Sequence, residues 1–306
     1  MSVQIFGHKS PDTDSTVSPI IWAWFLNEIK RIPAEAKLLG EPSTEASFVL
    51  SRWGLEKPAL LGDLAPETPV IIVDTNNPAE LPENINDADV HSIIDHHKLT
   101  GGLETKGPID ITVRPLACTA TIMYDLMGDE AAKMPEAIKG VALSCILSDT
   151  LAFRSPTTTD HDRAVAGKLA SALGIDMDAY ASEMFDAKSD VSGFSDAELL
   201  RMDSKEYAVR DTKFRVSVLE TTSPKSILDR KEGLMAAMDA VAQEDGVDQV
   251  LLFVVDILRE EATLLVPNGL VKEVAAKSFS AAATGDCVVI PGLLSRKKQI
   301  IPNLTI

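Results

Sequence analysis

The sequence predicts an α/β protein in two domains, the first with a parallel sheet flanked by helices and the second a smaller α/β domain with a mixed sheet. Three observations carry this. The 306 residues exceed the size at which a single hydrophobic core usually stops growing. The first half alternates short apolar runs with amphipathic helical stretches, the pattern of strands joined by crossover helices. Small polar residues then interrupt the periodicity, in Ser189-Asp190-Val191-Ser192-Gly193-Phe194-Ser195-Asp196, and a new pattern begins beyond them. Domains over 1–188 and 197–306, joined by a hinge linker over 189–196, are therefore expected.

The elements follow in order. Val3–Phe6 reads as the first strand. A helix is expected from Ser18-Pro19, with Pro in its first turn, because Ile21, Trp24, Phe25 and Ile29 recur at steps of three and four. Lys37–Leu39, Val70–Val73 and Val90–Ile94 are further strands, bounded by Gly, Pro, Asn and Asp. Thr119–Leu126, Pro135–Leu147 and the alanine-rich stretch from Asp160 to about Lys188 read as helical. After the linker the order is helix, strand, strand, long helix, strand, strand, helix, strand. Phe214–Leu219, Val250–Asp256 and Thr263–Val266 are its clearest strands and Ile227–Val241 its clearest helix.

Composition narrows the function classes. Apolar residues at 45% and charged residues at 25% suit a soluble globular protein. A net charge of −17 repels a polyanion at long range, so no nucleic-acid partner is expected. No apolar stretch approaches the roughly 20 residues of a membrane span, and no secretory signal pattern is visible. Cys118, Cys145 and Cys287 are scattered, without C-x2-C spacing. They read as reduced core thiols of a cytoplasmic protein.

The chemistry gathers at the ends of apolar runs. His8-x3-Asp12-x-Asp14 follows Val3–Gly7, Asp74 ends Val70–Val73, Asp95-His96-His97 follows Ile93-Ile94, and Asp149 follows Val141–Leu147. Three of only five histidines lie in these clusters, and such a set of carboxylates and imidazoles is what a site for two divalent cations requires. Each alone has an ordinary alternative. Pro11–Ser15 can be a solvated turn with a helix cap, the histidines a surface pair held by Asp95, and Asp74 and Asp149 caps. Their joint recurrence favours the site. Adjacent histidines at a strand end face different directions, so one can bind metal while the other faces substrate. Near the C-terminus, Ser295-Arg296-Lys297-Lys298-Gln299 sets a planar guanidinium beside ammonium groups, which suits phosphate oxygens. A solvated basic loop is the alternative.

These motifs together resemble the family II, manganese-dependent inorganic pyrophosphatases of the DHH phosphoesterase superfamily, over the whole chain in order and length. The Ser295–Gln299 run sets that family apart from other DHH proteins, whose Gly-Gly-Gly-His-type motif does not occur here. The resemblance implies hydrolysis of inorganic pyrophosphate to two phosphates by two metal ions per subunit, Mn2+ or Co2+, with a metal-bridging water as nucleophile. His8, Asp12 and Asp74 would hold the first ion, and Asp14, Asp74, His96 and Asp149 the second, Asp74 bridging. His97 would act at the substrate, oriented with its neighbour by Asp95. Lys205, Arg296 and Lys297 match phosphate ligands from the C-terminal domain, so the active site would lie between the domains. A further Mg2+ with the substrate and a homodimer are also implied. The chain departs from the family at Asp74-Thr75-Asn76-Asn77, where many members read Asp-His-Asn-Glu. The alternatives are a related exopolyphosphatase or DHH phosphodiesterase with the same metal centre, or a non-catalytic metal-binding or nucleotide-sensing protein.

Overall fold

In this computed structural model, which describes residues 2–306, the apolar runs of the first half form a five-stranded, wholly parallel sheet. Its strands are β1 (Val3–Phe6), β2 (Ala34–Ala36), β3 (Pro69–Val73), β4 (Asp89–Asp95) and β5 (Asp110–Val113), in the order β2-β1-β3-β4-β5. The order reverses direction at β1, so β1 and β3 flank a topological switch point. In open α/β sheets, ligands bind beyond the carboxyl ends of the strands at such a point.

Two strand expectations shift. The second strand is Ala34–Ala36, not Lys37–Leu39, because β1 ends at Phe6 and offers its last ladder bond to Lys37 N from Ile5 O at 2.8 Å. Leu38 then makes an isolated bridge to Leu60. β5, a short edge strand with half-exposed residues, gave no strong apolar pattern to read.

The helices are α1 (Thr13–Trp24), α2 (Thr44–Arg52), α3 (Thr119–Met127), α4 (Glu136–Asp149), α5 (Asp160–Leu173) and α6 (Met177–Lys188). α1 starts earlier than Ser18 because Asp12 caps it, accepting a bond from Ser15 N at 3.0 Å. Pro19 therefore lies inside the helix, where it leaves Ser15 O without its helical donor. The helical stretch 160–188 divides at Gly174, whose φ of 66° closes α5. α4 is buried on nearly every face, from Ile138 and Gly140 through Ser148, and packs against α1 and α5. An apolar surface all round is what a central helix requires.

Two compact units result, one up to Ala187 and one from Lys188 onward. The second contains α7 (Asp196–Met202), β6 (Ser204–Val209), β7 (Thr212–Thr221), α8 (Lys225–Leu228), α9 (Lys231–Asp245), β8 (Gln249–Asp256), β9 (Glu261–Leu265), α10 (Gly269–Phe279) and β10 (Cys287–Pro291). Its sheet, β10-β9-β8-β7-β6, is mixed: β7 and β8 run parallel and the other pairs antiparallel. β8 is buried along its whole length between two apolar layers, which accounts for its continuous hydrophobic run. The helix expected over Ile227–Val241 divides into α8 and α9 at Asp229-Arg230. Arg230 is occupied elsewhere, donating to Val191 O at 2.9 Å and Phe194 O at 2.8 Å. With Ser189 Oγ accepting from Thr222 N at 3.2 Å and Ser223 N at 3.1 Å, these bonds fasten residues 189–196 within the second unit. Among the described residues no helix is long and apolar enough to cross a membrane.

Gly140 shows how tightly α4 is held. A Cβ there would lie 2.1 Å from the Trp53 ring, whose indole N–H donates to Tyr180 Oη at 2.8 Å. Helical Gly→Ala exchanges ordinarily stabilise by about 0.5–1 kcal/mol, and Gly167 in α5, with open space around its Cβ, should follow that rule. Gly140→Ala should instead destabilise by about 1–3 kcal/mol through overpacking. Urea unfolding of both variants checks the opposite signs.

Candidate metal centre

The carboxyl ends of β1, β3 and β4 converge, and each ends in a candidate ligand. β1 runs into Gly7-His8, where close approach of α1 forces the glycine: a Cβ on Gly7 would stand 2.0 Å from Ser15 Oγ. The same hydroxyl accepts the His8 N–H at 2.7 Å. β3 runs into Asp74, a non-glycine residue in left-handed backbone with φ of 57°, a conformation that costs on the order of 1–2 kcal/mol. Its amide donates to Ile94 O at 2.9 Å, tying the end of β3 to β4. β4 ends in Asp95, and His96 and His97 follow.

Asp74 is almost fully buried and its two oxygens face different partners. Oδ2 lies 3.5 Å from His8 Nε2, and Oδ1 lies 3.3 Å from His96 Nε2. His8 Nε2 also lies 3.8 Å from Asp12 Oδ1. Three groups, His8–Asp12–Asp74, Asp14–His96–Asp149 and Asp74–His96–His97, each have ligand atoms within 4.8 Å of one another. The first holds the residues expected for one ion and the second holds three of the four expected for the other, without Asp74, which instead groups with His96 and His97. His96 is turned so that Nδ1 meets Leu116 O at 3.2 Å, which leaves Nε2 for the centre, the orientation that outer hydrogen bonds give metal-ligating histidines. Asp95 Oδ1 takes His96 N, His97 N and His97 Nδ1 at 2.7, 3.0 and 2.9 Å.

Electrostatics test whether cations fit. Burial, and then the neighbouring Asp74 charge, push the Asp14 carboxyl up to about 7. Burial and the Asp14 charge push Asp149 well above the usual carboxylate range. Burial also disfavours ionised Asp74, yet the His8 and His96 imidazoles more than offset this and hold it low. His96 is raised to about 9: burial opposes its charge, but the hydrogen bond to Asp74 and the Asp14 charge outweigh it. Asp74 Oδ2, though buried, accepts no hydrogen bond from any described residue. Converging carboxylates with an orphaned buried oxygen cost free energy unless positive charge joins them. Oxygen and imidazole donors in this number suit two divalent transition-metal ions.

Two clefts meet at the cluster. One of about 580 Å³ is lined by Asp12, His96, His97, Lys98 and Asp149, the other of about 530 Å³ by His8, Lys9, Thr75, Glu80, His97 and Lys98. His97 and Lys98 line both.

The second unit holds the remaining expected residues. Arg296 is half-buried and forks onto Asp203, donating to its carbonyl at 2.6 Å and its Oδ1 at 2.7 Å. That places the guanidinium beside the start of β6, two residues before exposed Lys205. Lys297 is exposed. Gln299 Oε1 accepts from Leu294 N at 2.8 Å and Ser295 N at 2.9 Å, while Ser295 Oγ accepts from Lys298 N at 3.3 Å. Ser295 and Gln299 thus shape the turn, and the cations between them are presented by it.

Sequence reasoning missed Thr119, Asn76 and Ser18. Thr119, at the start of α3, donates N–H to Asp14 Oδ2 at 2.6 Å and Oγ1–H to Asp74 Oδ1 at 3.2 Å. Ser18 hydrogen-bonds Asp14 from one turn on. The available signals were a Thr opening an apolar helix and a Ser four residues after a candidate ligand.

Comparison with known proteins covers nearly the whole chain. Residues 2–148 match the DHH family N-terminal domain, and residues 182–305 match the DHHA2 domain. A probable manganese-dependent inorganic pyrophosphatase of Deinococcus radiodurans is 40% identical, over 98% of this chain and 96% of its own length. One from Clostridium acetobutylicum is 35% identical, over 99% and 97%. A Methanococcus jannaschii crystal structure assigned to the family II inorganic pyrophosphatases aligns at a TM-score of 0.61 and 31% identity, over 99% of this chain and 98% of that one. An exopolyphosphatase-related protein of Bacteroides fragilis aligns at 0.51 and 14%, over 98% and 89%, a likeness of fold alone.

The charge cluster makes stability depend on pH and metal together. Asp14 loses its proton at 3.8 when exposed but near 7 when folded, so folding stability falls as pH rises across that window. His96 shifts from 6.5 to about 9, and the stability it adds below 6.5 is lost as pH rises through 9. Chelator-treated protein should therefore melt at lower temperature at pH 9 than at pH 5.5. Mn2+ at a hundredfold its Kd should raise the midpoint at pH 8 by about 5–10 °C, from about 2.7 kcal/mol of linkage. Calorimetry with and without chelator checks both, and a metal-free midpoint that rises with pH would count against the cluster. Thr119→Val, which removes the hydroxyl donor to Asp74, should weaken Mn2+ binding about 10- to 100-fold, measured by titration calorimetry.

Proposed function

The chain belongs to the family II, manganese-dependent inorganic pyrophosphatases, and from that premise we propose that it hydrolyses inorganic pyrophosphate to two phosphates with the carboxylate–imidazole cluster as its metal centre. One observation supports this most: the two oxygens of buried Asp74 face separate candidate ligand sets. In this reading His8, Asp12 and Asp74 hold one Mn2+ or Co2+, and Asp14, Asp74, His96 and Asp149 hold the other. Bound there, the ions would supply charge neutralisation and would lower the pKa of water, making a nucleophile available near neutral pH.

The chain's own groups do the rest. Asp95 accepts His97 Nδ1–H, which fixes the tautomer and leaves Nε2 to face the substrate. That hydrogen bond also raises His97, outweighing its partial burial, so the imidazolium is available to donate a proton to the leaving oxygen. Arg296, Lys205 and Lys297 take the phosphate oxygens that gain charge as the phosphoanhydride breaks. These cations belong to the second unit. Substrate entering with a further Mg2+, a cytoplasmic location and a homodimer complete the reading.

The test is phosphate release by metal-depleted protein from pyrophosphate, tripolyphosphate and a dinucleotide, restored separately with Mn2+, Co2+, Zn2+ and Mg2+. Pyrophosphate should be preferred, with Mn2+ or Co2+ restoring most activity. A preference for tripolyphosphate or the dinucleotide would overturn the assignment. Arg296→Met should lower kcat/KM at least about 100-fold, the scale for losing a preorganised charged donor, while metal content stays at the wild-type level.

A further inference from the structure

Between the ends of β3 and β4 lies a side chain with no assigned task and no spare hydrogen-bonding capacity. Asn76 is 5% exposed. Its Nδ2 donates to Asp95 Oδ2 at 2.5 Å and to Lys98 O at 3.0 Å. Its Oδ1 accepts Thr100 N–H at 2.9 Å and Thr100 Oγ1–H at 3.1 Å. An amide offers two donors and one doubly accepting oxygen, and all of them are engaged here. The loop that carries Asp74 is thereby fastened to the turn that carries His96 and His97.

We propose that Asn76 is a positioning residue for the reaction, acting through Asp95 to aim His97. This rests on the pyrophosphatase reading above. Asp95 is fully buried, and its Oδ1 already serves three N–H groups of His96 and His97. Its Oδ2 depends on Asn76. With that donor removed, the buried carboxylate rotates toward whatever donors remain, and the His97 ring, half exposed and hydrogen-bonded at Nδ1 to Asp95 at 2.9 Å, with Asp74 Oδ1 further off at 3.9 Å, follows it. A carboxamide is required at position 76. A carboxylate would repel Asp95, an alkyl group would offer no donor, and neither would satisfy both Lys98 O and Thr100 N.

The test is a double-mutant cycle on the manganese-loaded enzyme with magnesium pyrophosphate. Asn76→Ala should lower kcat about 10- to 100-fold, the scale for removing a group that orients an active residue. KM should stay within about threefold and manganese content per subunit at the wild-type value. In the Asp95→Asn background the same substitution should lower kcat by less than about threefold, because the route through Asp95 is already broken. Asn76→Ser, which keeps a small polar group but cannot span Asp95 and Thr100, should repeat the result and substitutes for the alanine variant if that fails to fold. Unchanged kcat in a folded Asn76 variant, or losses that multiply in the double variant, would overturn the inference while leaving the pyrophosphatase reading intact. A wild-type protein inactive on pyrophosphate would remove both.

Discussion

The burial of Asp74 at the carboxyl end of β3 sets the terms for the rest of the first unit. A carboxylate with almost no exposure must find partners or stay protonated. Here His8 comes from the end of β1, His96 from the end of β4 and Thr119 from the start of α3. Three separate elements are aimed at one side chain. Its left-handed backbone, unfavourable for aspartate, directs the amide to Ile94 O and the carboxylate into the cluster. Strain of this kind persists where surrounding structure over-determines it, and the β1–β3–β4 ladder does so.

That constraint explains why some of the site was legible in the sequence and some was not. His8, Asp74, Asp95 and His96 each end an apolar run, and in a parallel sheet the carboxyl ends of adjacent strands come together. Run-end position was therefore enough to group them. Thr119 lies 105 residues from Asp14, and no local pattern links a helix start to a carboxylate that distant. Asn76 looked like one more loop amide because its value lies in bonds to Asp95, Lys98 and Thr100, which only the β3–β4 pairing brings near. Lys205 became a candidate through family resemblance; its strand residues carry no distinctive composition.

Boundary errors have the same origin. Pro19 is an acceptable first-turn residue, but the Asp12–Ser15 cap starts α1 upstream and the helix absorbs an interior proline. The break between α8 and α9 places Arg230, whose guanidinium reaches Val191 and Phe194. Helical periodicity on both sides hides this tertiary demand. In each case a local preference yielded to a contact made elsewhere in the chain.

The departure at Thr75 and Asn77 is best understood through what these residues do. Thr75 Oγ1 donates to Glu80 Oε2 at 2.7 Å and accepts Asn77 N–H at 3.1 Å, while Asn77 Oδ1 caps the short turn Pro78–Glu80 through Ala79 N at 3.1 Å. Glu80 O in turn accepts the Lys9 amide at 2.9 Å, beside His8. Thr75 and Asn77 therefore build a hydrogen-bonded brace that brings the Glu80 carboxylate to the rim of the cleft lined by His8 and His97. Glu80 is among the charges that raise His8 against the opposing effect of burial. A nearby negative charge is thus present although position 77 is Asn, and it reaches the His8 side of the cluster from three residues further along the chain. The brace leaves Asp74 and Asn76 free for the contacts that organise the centre.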